Sequence, residues 1–280
     1  MKVLQTTFVL IIFLFLNSLA QEKQQKFQVD FNEIKGELTS KDLYKKDFGR
    51  YDGFEIELFP GEAVNFVVYS NNFQPSIALV NSKGEIFKQS SKNDKGYANI
   101  VTEIPSGGNW VLYVIGDEKA AGSYTLQTAI AEPNSLSLNS SADFCTTLDF
   151  LLSHAKAYFF LLENPSISRQ ELVKLNDALD SYIDEESGSY KATFENDNER
   201  TKTEATFNNI SEKIKSCLGS NWQITSTGWQ KSEDYKEKTK TFTEKNNNKP
   251  RYVKVAIYDY ADSKHKTDYR FTVDVEINRN

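Results

Sequence analysis

The hydrophobic period of this chain changes once, near residue 135, and that change limits the folds available to it. Before this point, apolar residues alternate in short segments divided by Gly, Pro and Asn, which is typical of strands and turns. After it, they recur every three or four positions, as on one face of a helix. The stretch between, AEPNSLSLNSS at 131–141, has linker composition. We therefore predict two domains, 27–132 and 142–280, joined by a linker at 133–141.

The first twenty residues, MKVLQTTFVLIIFLFLNSLA, have the features of a secretory signal peptide. Lys2 supplies the positive start, 8–16 is an unbroken apolar run, and Ser18 and Ala20 are small residues suited to cleavage. The run is short for a membrane span, and no later segment is apolar enough to serve as one. We predict cleavage near Ala20, before Gln21, and a secreted or periplasmic product without a transmembrane segment.

The first domain is expected to be all-β. Its apolar segments are short. Some alternate with polar residues, others are continuously apolar, and turn residues such as Pro60-Gly61 end them. The predicted strands are 54–58, 64–69, 76–80, 110–114 and 124–126. Many short strands with this punctuation indicate a β-sandwich or jelly roll.

An ordered set of motifs within residues 33–130 resembles the bacterial pre-peptidase C-terminal domain. The set reads Gly36-x-Leu38, Tyr51-Asp52-x-Phe54-x-Ile56, Pro60-Gly61-Glu62, Phe73-x-Pro75, Gly84, Asn93-Asp94, Gly108-x-Trp110-x-Leu112-x-Val114 and Gly122-x-Tyr124-x-Leu126. The resemblance implies a small jelly-roll β-sandwich that serves as a non-catalytic accessory or adhesion module. It also implies a bacterial source, since the family is chiefly prokaryotic.

The same resemblance raises the question of calcium, which some members of the family bind. Asp52, Asn93 and Asp94 carry the oxygen ligands that calcium prefers. The competing interpretation is that Asn93-Asp94-Lys95-Gly96 is an ordinary turn. No dense D-x-D-x-D-G spacing occurs in the chain, and no other cofactor is expected.

The second domain is predicted to be α+β, with helices packed on an antiparallel sheet. One amphipathic helix is expected over 141–162, capped by Ser140 or Ser141. A second is expected through Leu172, Leu175 and Leu179, after the capping-box pattern at 168–171. A third is expected over 207–217, ending near Gly219. Strands are expected at 190–194, 222–229, 252–260 and 269–277.

The two cysteines lie on the apolar sides of the first and third predicted helices. Antiparallel packing of those helices would bring Cys145 and Cys217 together, and an exported protein meets an oxidising compartment. We predict a disulfide between them; the alternative is two buried free thiols. Their separation from the histidines matches no recognised metal-ligand spacing.

Catalysis has little support in this sequence. The chain has two histidines, His154 and His265, and neither lies in a nucleophile or metalloprotease motif. The chain carries 33 basic and 39 acidic residues, a net charge of −6, which argues against a nucleic-acid partner. We expect a non-enzyme; a hydrolase that uses a carboxylate pair is an open alternative.

Binding is the function class that the aromatic content favours. The chain contains 14 tyrosines and three tryptophans, which can provide flat contact surfaces for a protein or a glycan. Tyr252, Tyr258, Tyr260 and Tyr269 lie in two neighbouring predicted strands and form a candidate aromatic surface. The alternatives are that they pair across strands to stabilise the sheet, or that the protein assembles a structure of the cell envelope.

Overall fold

The computed structural model describes residues 26–93, 96–162, 173–184, 187–263 and 268–279. Within them β-structure dominates, with sixteen strands, two α-helices and one short 3-10 helix. The predicted signal peptide at 1–20 lies outside the described residues. No helix in this described part is long and apolar enough to cross a membrane.

Nine strands form two facing antiparallel sheets, which confirms the predicted β-sandwich. They are β1 Val29–Leu38, β2 Leu43–Lys45, β3 Gly49–Leu58, β4 Ala63–Tyr69, β5 Ser76–Val80, β6 Ile86–Ser91, β7 Tyr97–Glu103, β8 Gly108–Gly116 and β9 Gly122–Ala131. One sheet has the order β1-β9-β4-β7 and the other β2-β3-β8-β5-β6. Their inner faces enclose one core that includes Phe66, Leu79, Leu112 and Leu126.

Seven further strands form a single antiparallel sheet, here called the large sheet. They are β10 Asp180–Asp184, β11 Ser189–Asp197, β12 Trp222–Ser226, β13 Gln230–Lys231, β14 Lys236–Glu244, β15 Arg251–Asp259 and β16 Phe271–Arg279. The order is β10-β11-β16-β15-β14-β12, and β13 also pairs with β14. The strands at 190–194, 252–260 and 269–277 are therefore confirmed, with shifted ends.

The prediction of an α+β domain at 142–280 is wrong, because strands outnumber helices there. The described residues of this region contain two α-helices, α1 Phe144–Ala155 and α2 Arg200–Cys217. The helix expected through Leu172–Leu179 is absent over 173–179, and its capping box at 168–171 lies outside the described residues. Leu175 donates its N–H to the Tyr190 hydroxyl and Leu179 donates to the Thr193 carbonyl, so the sheet takes these donors.

Strand β14 is one of the strands that the sequence did not predict, together with β1, β2, β6, β7, β10 and β13. Its segment KEKTKTFTE reads as charged and solvated. In the structure, Lys238 lies 5.3 Å from the Phe207 ring centroid of α2, and Lys240 pairs with Glu212 at 3.2 Å. The long lysine stems thus cover helix α2 while their ammonium groups stay partly solvated. A lysine-rich strand can bury one face in this way.

Helix α1 begins and ends differently from its predicted bounds. Asp143 is the N-cap: its carboxylate accepts a hydrogen bond from the Thr146 N–H at 2.7 Å, a role predicted for Ser140 or Ser141. The helix ends at Ala155 rather than 162. Tyr158 and Phe159 have φ of 50° and 62°, and this left-handed turn places Phe159 in the core beside Tyr190.

The disulfide between Cys145 and Cys217 is present, as predicted, and joins α1 to α2 with a Cα–Cα distance of 5.1 Å. Both helices contribute to the core that backs the large sheet, through residues such as Leu151 and Ile210. The opposite wall of this core comes from the strands, with Val255 and Val275 among its members. The bridge therefore holds together the two elements that cover one face of the sheet.

The segment at 133–141 packs against the rest of the chain. Ser135, at the end of the 3-10 helix Pro133–Ser135, is fully buried. Its carbonyl accepts a hydrogen bond from Nε2 of His154 at 2.7 Å. Phe27, which precedes β1, lies edge-on to Phe150 at 5.0 Å and belongs to the core of the large sheet. The domain boundary stays a prediction, but the sandwich and the large sheet share these contacts.

Breaking the disulfide should destabilise the protein strongly. The bridge closes a loop with a sequence separation of 72, which the chain-entropy model converts to about 4 kcal/mol. Urea denaturation of the Cys145→Ala/Cys217→Ala variant should show a loss of that order, and reduced wild-type protein should match it. Equal midpoints for oxidised and reduced wild-type protein would contradict the structural role of the bridge.

Acid should weaken the contact at His154. Burial lowers the pKa of this imidazole to about 4, against the opposing effect of its bond to Ser135. The unfolded chain titrates near 6.5, so the stabilisation is present above that pH and is lost as pH falls toward 4. Between about pH 7 and about pH 4.5 the loss from this one group is roughly 2–3 kcal/mol.

The variant His154→Gln isolates this effect, because its amide nitrogen can replace Nε2 and does not titrate. We expect it to be less stable than wild type near neutral pH by about 1–2 kcal/mol, and to lose less stability on acidification. Urea midpoints at both pH values provide the measurement. An identical acid-induced loss in the two proteins would show that His154 does not titrate within the folding transition.

Candidate functional site

The structure does not place His154 in a catalytic setting. His154 is fully buried, and its ring packs against Phe150 at 4.6 Å. Its Nδ1 has no hydrogen-bond partner among the described residues. A neutral, enclosed imidazole that donates to a carbonyl cannot exchange protons with a substrate in solution. His265 lies outside the described residues.

The large sheet has one dry face and one partly wet face. On β15, Val253, Val255 and Ile257 are fully buried in the core beneath the helices. Side chains of a strand alternate between faces, so Tyr252, Lys254 and Tyr258 point the other way. The matching positions on β16 are Thr272, Asp274, Glu276 and Asn278, by the observed register. We call this second surface the outer face.

Three tyrosines meet at one end of the outer face. Tyr235, just before β14, lies 5.2 Å from Tyr258 and 5.9 Å from Tyr260 between ring centroids. Tyr258 and Tyr260 are stacked at 6.1 Å with an interplanar angle of 26°. All three are half-buried. We call them the tyrosine cluster; it contains two of the four predicted tyrosines and one that was not predicted.

The other two predicted tyrosines lie outside the cluster. Tyr252 is at the opposite end of β15, where its hydroxyl donates to Glu276 at 2.6 Å. Lys254, the next residue on this face, reaches along the sheet to Glu237 at 3.1 Å, and Glu237 lies directly opposite Tyr258. Tyr269 precedes β16 and is 47% exposed. The end of the face around Tyr252 is thus held by a hydrogen bond between strands β15 and β16, as the cross-strand alternative proposed.

Asp274 lies beside the tyrosine cluster and has an incomplete set of partners. Burial raises the pKa of its carboxyl group, and the Thr193 hydroxyl and the Lys191 charge partly oppose this. Its Oδ1 is buried without a hydrogen-bond partner among the described residues. Burial and the Asp274 charge also raise the pKa of Tyr258, and that of Tyr260 to about 12. Both phenols therefore stay protonated at physiological pH and can donate hydrogen bonds.

The two calcium candidates that the structure describes, Asp52 and Asn93, make hydrogen bonds within the protein. The Asp52 carboxylate accepts a hydrogen bond from the Tyr124 hydroxyl at 2.6 Å across the sandwich. Tyr124 in turn lies over Gly36, where any side chain would collide with its ring. Asn93 begins a turn, since its carbonyl accepts from the Gly96 N–H at 2.9 Å. Asp94 lies outside the described residues.

No group of three His, Cys, Asp or Glu residues gathers at metal-binding distance in the part of the chain that the structure covers. Calcium binding was not tested by these contacts and stays a prediction. The Asp52–Tyr124 hydrogen bond joins strands β3 and β9 of opposite sheets.

Sequence reasoning missed Tyr235 and Asp274 for different reasons. Tyr235 precedes strand β14, and the charged sequence of β14 did not indicate a strand there. Asp274 is one of the polar residues in the alternating segment 269–277. Alternation predicts which face of the sheet such a residue lies on, but not which residues of the next strand lie beside it. Pairing Tyr258 with Thr272 and Ala256 with Asp274 depends on the register of β15 and β16, which requires the turn between them.

No protein-family model matches this chain, and no curated protein matches it. Among solved structures, a periplasmic inhibitor of g-type lysozyme from Aeromonas hydrophila is similar at 12% identity, a TM-score of 0.28, and coverage of 36% of this chain and 85% of its own. The pre-peptidase C-terminal domain of a Bacillus anthracis collagenase is similar at 16% identity, a TM-score of 0.28, and coverage of 35% and 87%.

A mitogen from Yersinia pseudotuberculosis is similar at 14% identity and a TM-score of 0.28, with coverage of 40% of this chain and 92% of its own. Likenesses at these scores carry no argument about function. The β-sandwich follows from the sheet topology of the chain itself. The ordered motifs at 33–130 resemble the pre-peptidase C-terminal domain family, and membership of that family stays a prediction.

Proposed function

We propose that this chain is a non-catalytic binding protein of a bacterial outer compartment, either periplasmic or extracellular. Its ligand is a protein, and the ligand contacts the outer face of the large sheet at the tyrosine cluster. The observation that carries the proposal is the cluster itself, in which Tyr235, Tyr258 and Tyr260 concentrate aromatic surface on an otherwise polar face.

The surroundings of the cluster support contact with a protein. Tyrosine is enriched at interface hot spots, where the ring supplies buried area and the hydroxyl supplies a directional bond. The three rings contact each other, so their faces are partly occupied. A glycan-stacking platform needs free ring faces, which makes a protein the better match.

The proposed compartment follows from chain chemistry. A disulfide such as Cys145–Cys217 persists in oxidising environments and is rare in the bacterial cytosol. The N-terminal 20 residues have signal-peptide composition. These two observations agree with each other and support export.

Removing the cluster should abolish capture of the ligand. We expect cross-linking capture from native envelope and medium extracts to identify a protein bound by wild type and lost with Tyr258→Ala/Tyr260→Ala. Tyr44→Ala is the matched control, because Tyr44 is 44% exposed in β2, outside the large sheet. Thermal unfolding verifies that both variants fold.

Three results would contradict the proposal. Retention of the same protein by the double variant would place the site elsewhere. Binding to a glycan array that depends on the cluster would make the ligand a glycan. Capture of further copies of this chain alone would favour an assembly role in the envelope.

The purified protein should also show no hydrolytic turnover on protease and glycosidase panels. The physical reason is that its described histidine is enclosed and neutral. Reproducible turnover that a single carboxylate substitution abolishes would instead support the hydrolase alternative.

A further inference from the structure

A cleft opens on one side of the sandwich, between strands β1 and β3 of opposite sheets. Its volume is about 560 Å³. Ten residues line it: Asn32, Glu33, Ile34, Gly53, Phe54, Glu55, Ile56, Leu112, Leu126 and Thr128. The cleft is remote in sequence from the outer face of the large sheet and uses none of its residues, so it is a separate surface.

The strand on one wall of the cleft has a largely unpaired edge. Strand β3 pairs with β8 along 50–58, but on its other side β2 covers just Gly49, Arg50 and Tyr51. The stretch at 52–58 thus has no strand partner on that side among the described residues. On the other wall, β1 is itself the edge strand of its sheet. Backbone N–H and C=O groups of such edges can pair with a further strand.

Between these edges the sandwich core is partly uncovered. Ile34, Phe54 and Ile56 are half-buried, and the buried Leu112 and Leu126 form the floor. Side chains on one face of an added strand could point into this gap and cover the apolar groups. An occupant with alternating apolar residues would fit that geometry, because side chains alternate along a strand.

The rim of the cleft is acidic. Glu33 and Glu55 are exposed and line the cleft, and the exposed Glu37 and Glu57 follow on the same two strands. None of the ten lining residues is basic, and the one basic residue beside these glutamates on β1 is the exposed Lys35, between Glu33 and Glu37. No ion pair involves these four carboxylates within the described part of the chain; the one side-chain bond found there is from Gln127 to Glu33 at 3.2 Å. The rim therefore complements a cationic partner.

We infer that the cleft binds an extended peptide segment of a partner protein, with alternating apolar and basic side chains. The segment pairs with the free edge of β3 as an added strand. Its apolar side chains enter the gap above Leu112 and Leu126, and its basic side chains, which point the other way, lie beside Glu55 and Glu57 on the outward face of β3. A second copy of this chain is a poor occupant, since pairing of two β3 edges would bring Glu55 and Glu57 of each copy close together.

The probe is a fluorescent, end-blocked peptide of about ten residues that alternates valine and lysine. Fluorescence anisotropy with the purified chain should show saturable binding that weakens as salt is added. Replacing every lysine with glutamate should abolish binding. N-methylation of alternate backbone amides should also abolish it, because strand pairing needs the N–H donors.

Charge reversal at the rim locates the site. Glu55→Lys should weaken binding by about tenfold or more. Glu103→Lys is the matched control, because Glu103 is exposed on β7, the opposite edge strand of the sandwich, and should change binding by less than about twofold. Hydrogen exchange should show new protection of the amides at 52–58 in the complex.

Several outcomes overturn the inference. These are equal binding of the acidic or N-methylated peptide, equal effects of the two charge reversals, or protection that falls outside β1 and β3. No binding at all would mean that the glutamates serve to keep an edge strand from aggregating. Sedimentation that shows dimers through this edge would make a second copy the occupant.

Discussion

The large sheet is buried on one face beneath two helices that a disulfide holds together, and the rest of the C-terminal structure depends on this arrangement. Cys145 and Cys217 fix α1 against α2, and the apolar sides of both helices close the core over Val255 and Val275. A sheet covered on one side must present its alternate residues on the other. The apolar sides of the two linked helices therefore leave the outer face as the more exposed side of the large sheet.

The outer face that results is organised unevenly along β15. One end is tied by the hydrogen bond from Tyr252 to Glu276. The other end gathers three tyrosines beside a carboxylate with an unpaired oxygen. The first end is fixed by a hydrogen bond between strands, whereas the second gathers half-buried aromatic rings whose hydroxyls can donate hydrogen bonds. This difference is why the proposed contact is assigned to the tyrosine cluster. The sandwich adds a second surface of another kind, an acidic cleft with a free strand edge.

Local signals in the sequence predicted part of this structure well. Periodicity predicted five of the nine sandwich strands (β3, β4, β5, β8 and β9) and the C-terminal part of helix α2, and the helix faces together with the compartment predicted the disulfide. Strand β14 could not be predicted in the same way, because its lysines become covering groups only when α2 packs on them. The segment ending at Leu179 reads as a helix, yet its backbone donors bond to Tyr190 and Thr193. Tyr258 and Tyr260 were visible as candidates, while Tyr235 and Asp274 join them through the strand register.

The central claim is that the outer face, at the tyrosine cluster, is the ligand-contacting surface. Hydroxyl-radical footprinting with mass spectrometry tests it most directly, on the free protein and on its complex with the captured partner. We expect Tyr258 and Tyr260 to be oxidised in the free protein and protected in the complex. The fully buried Tyr190 should stay unmodified in both. Unchanged oxidation of the cluster, with protection appearing on the helix side instead, would contradict the account.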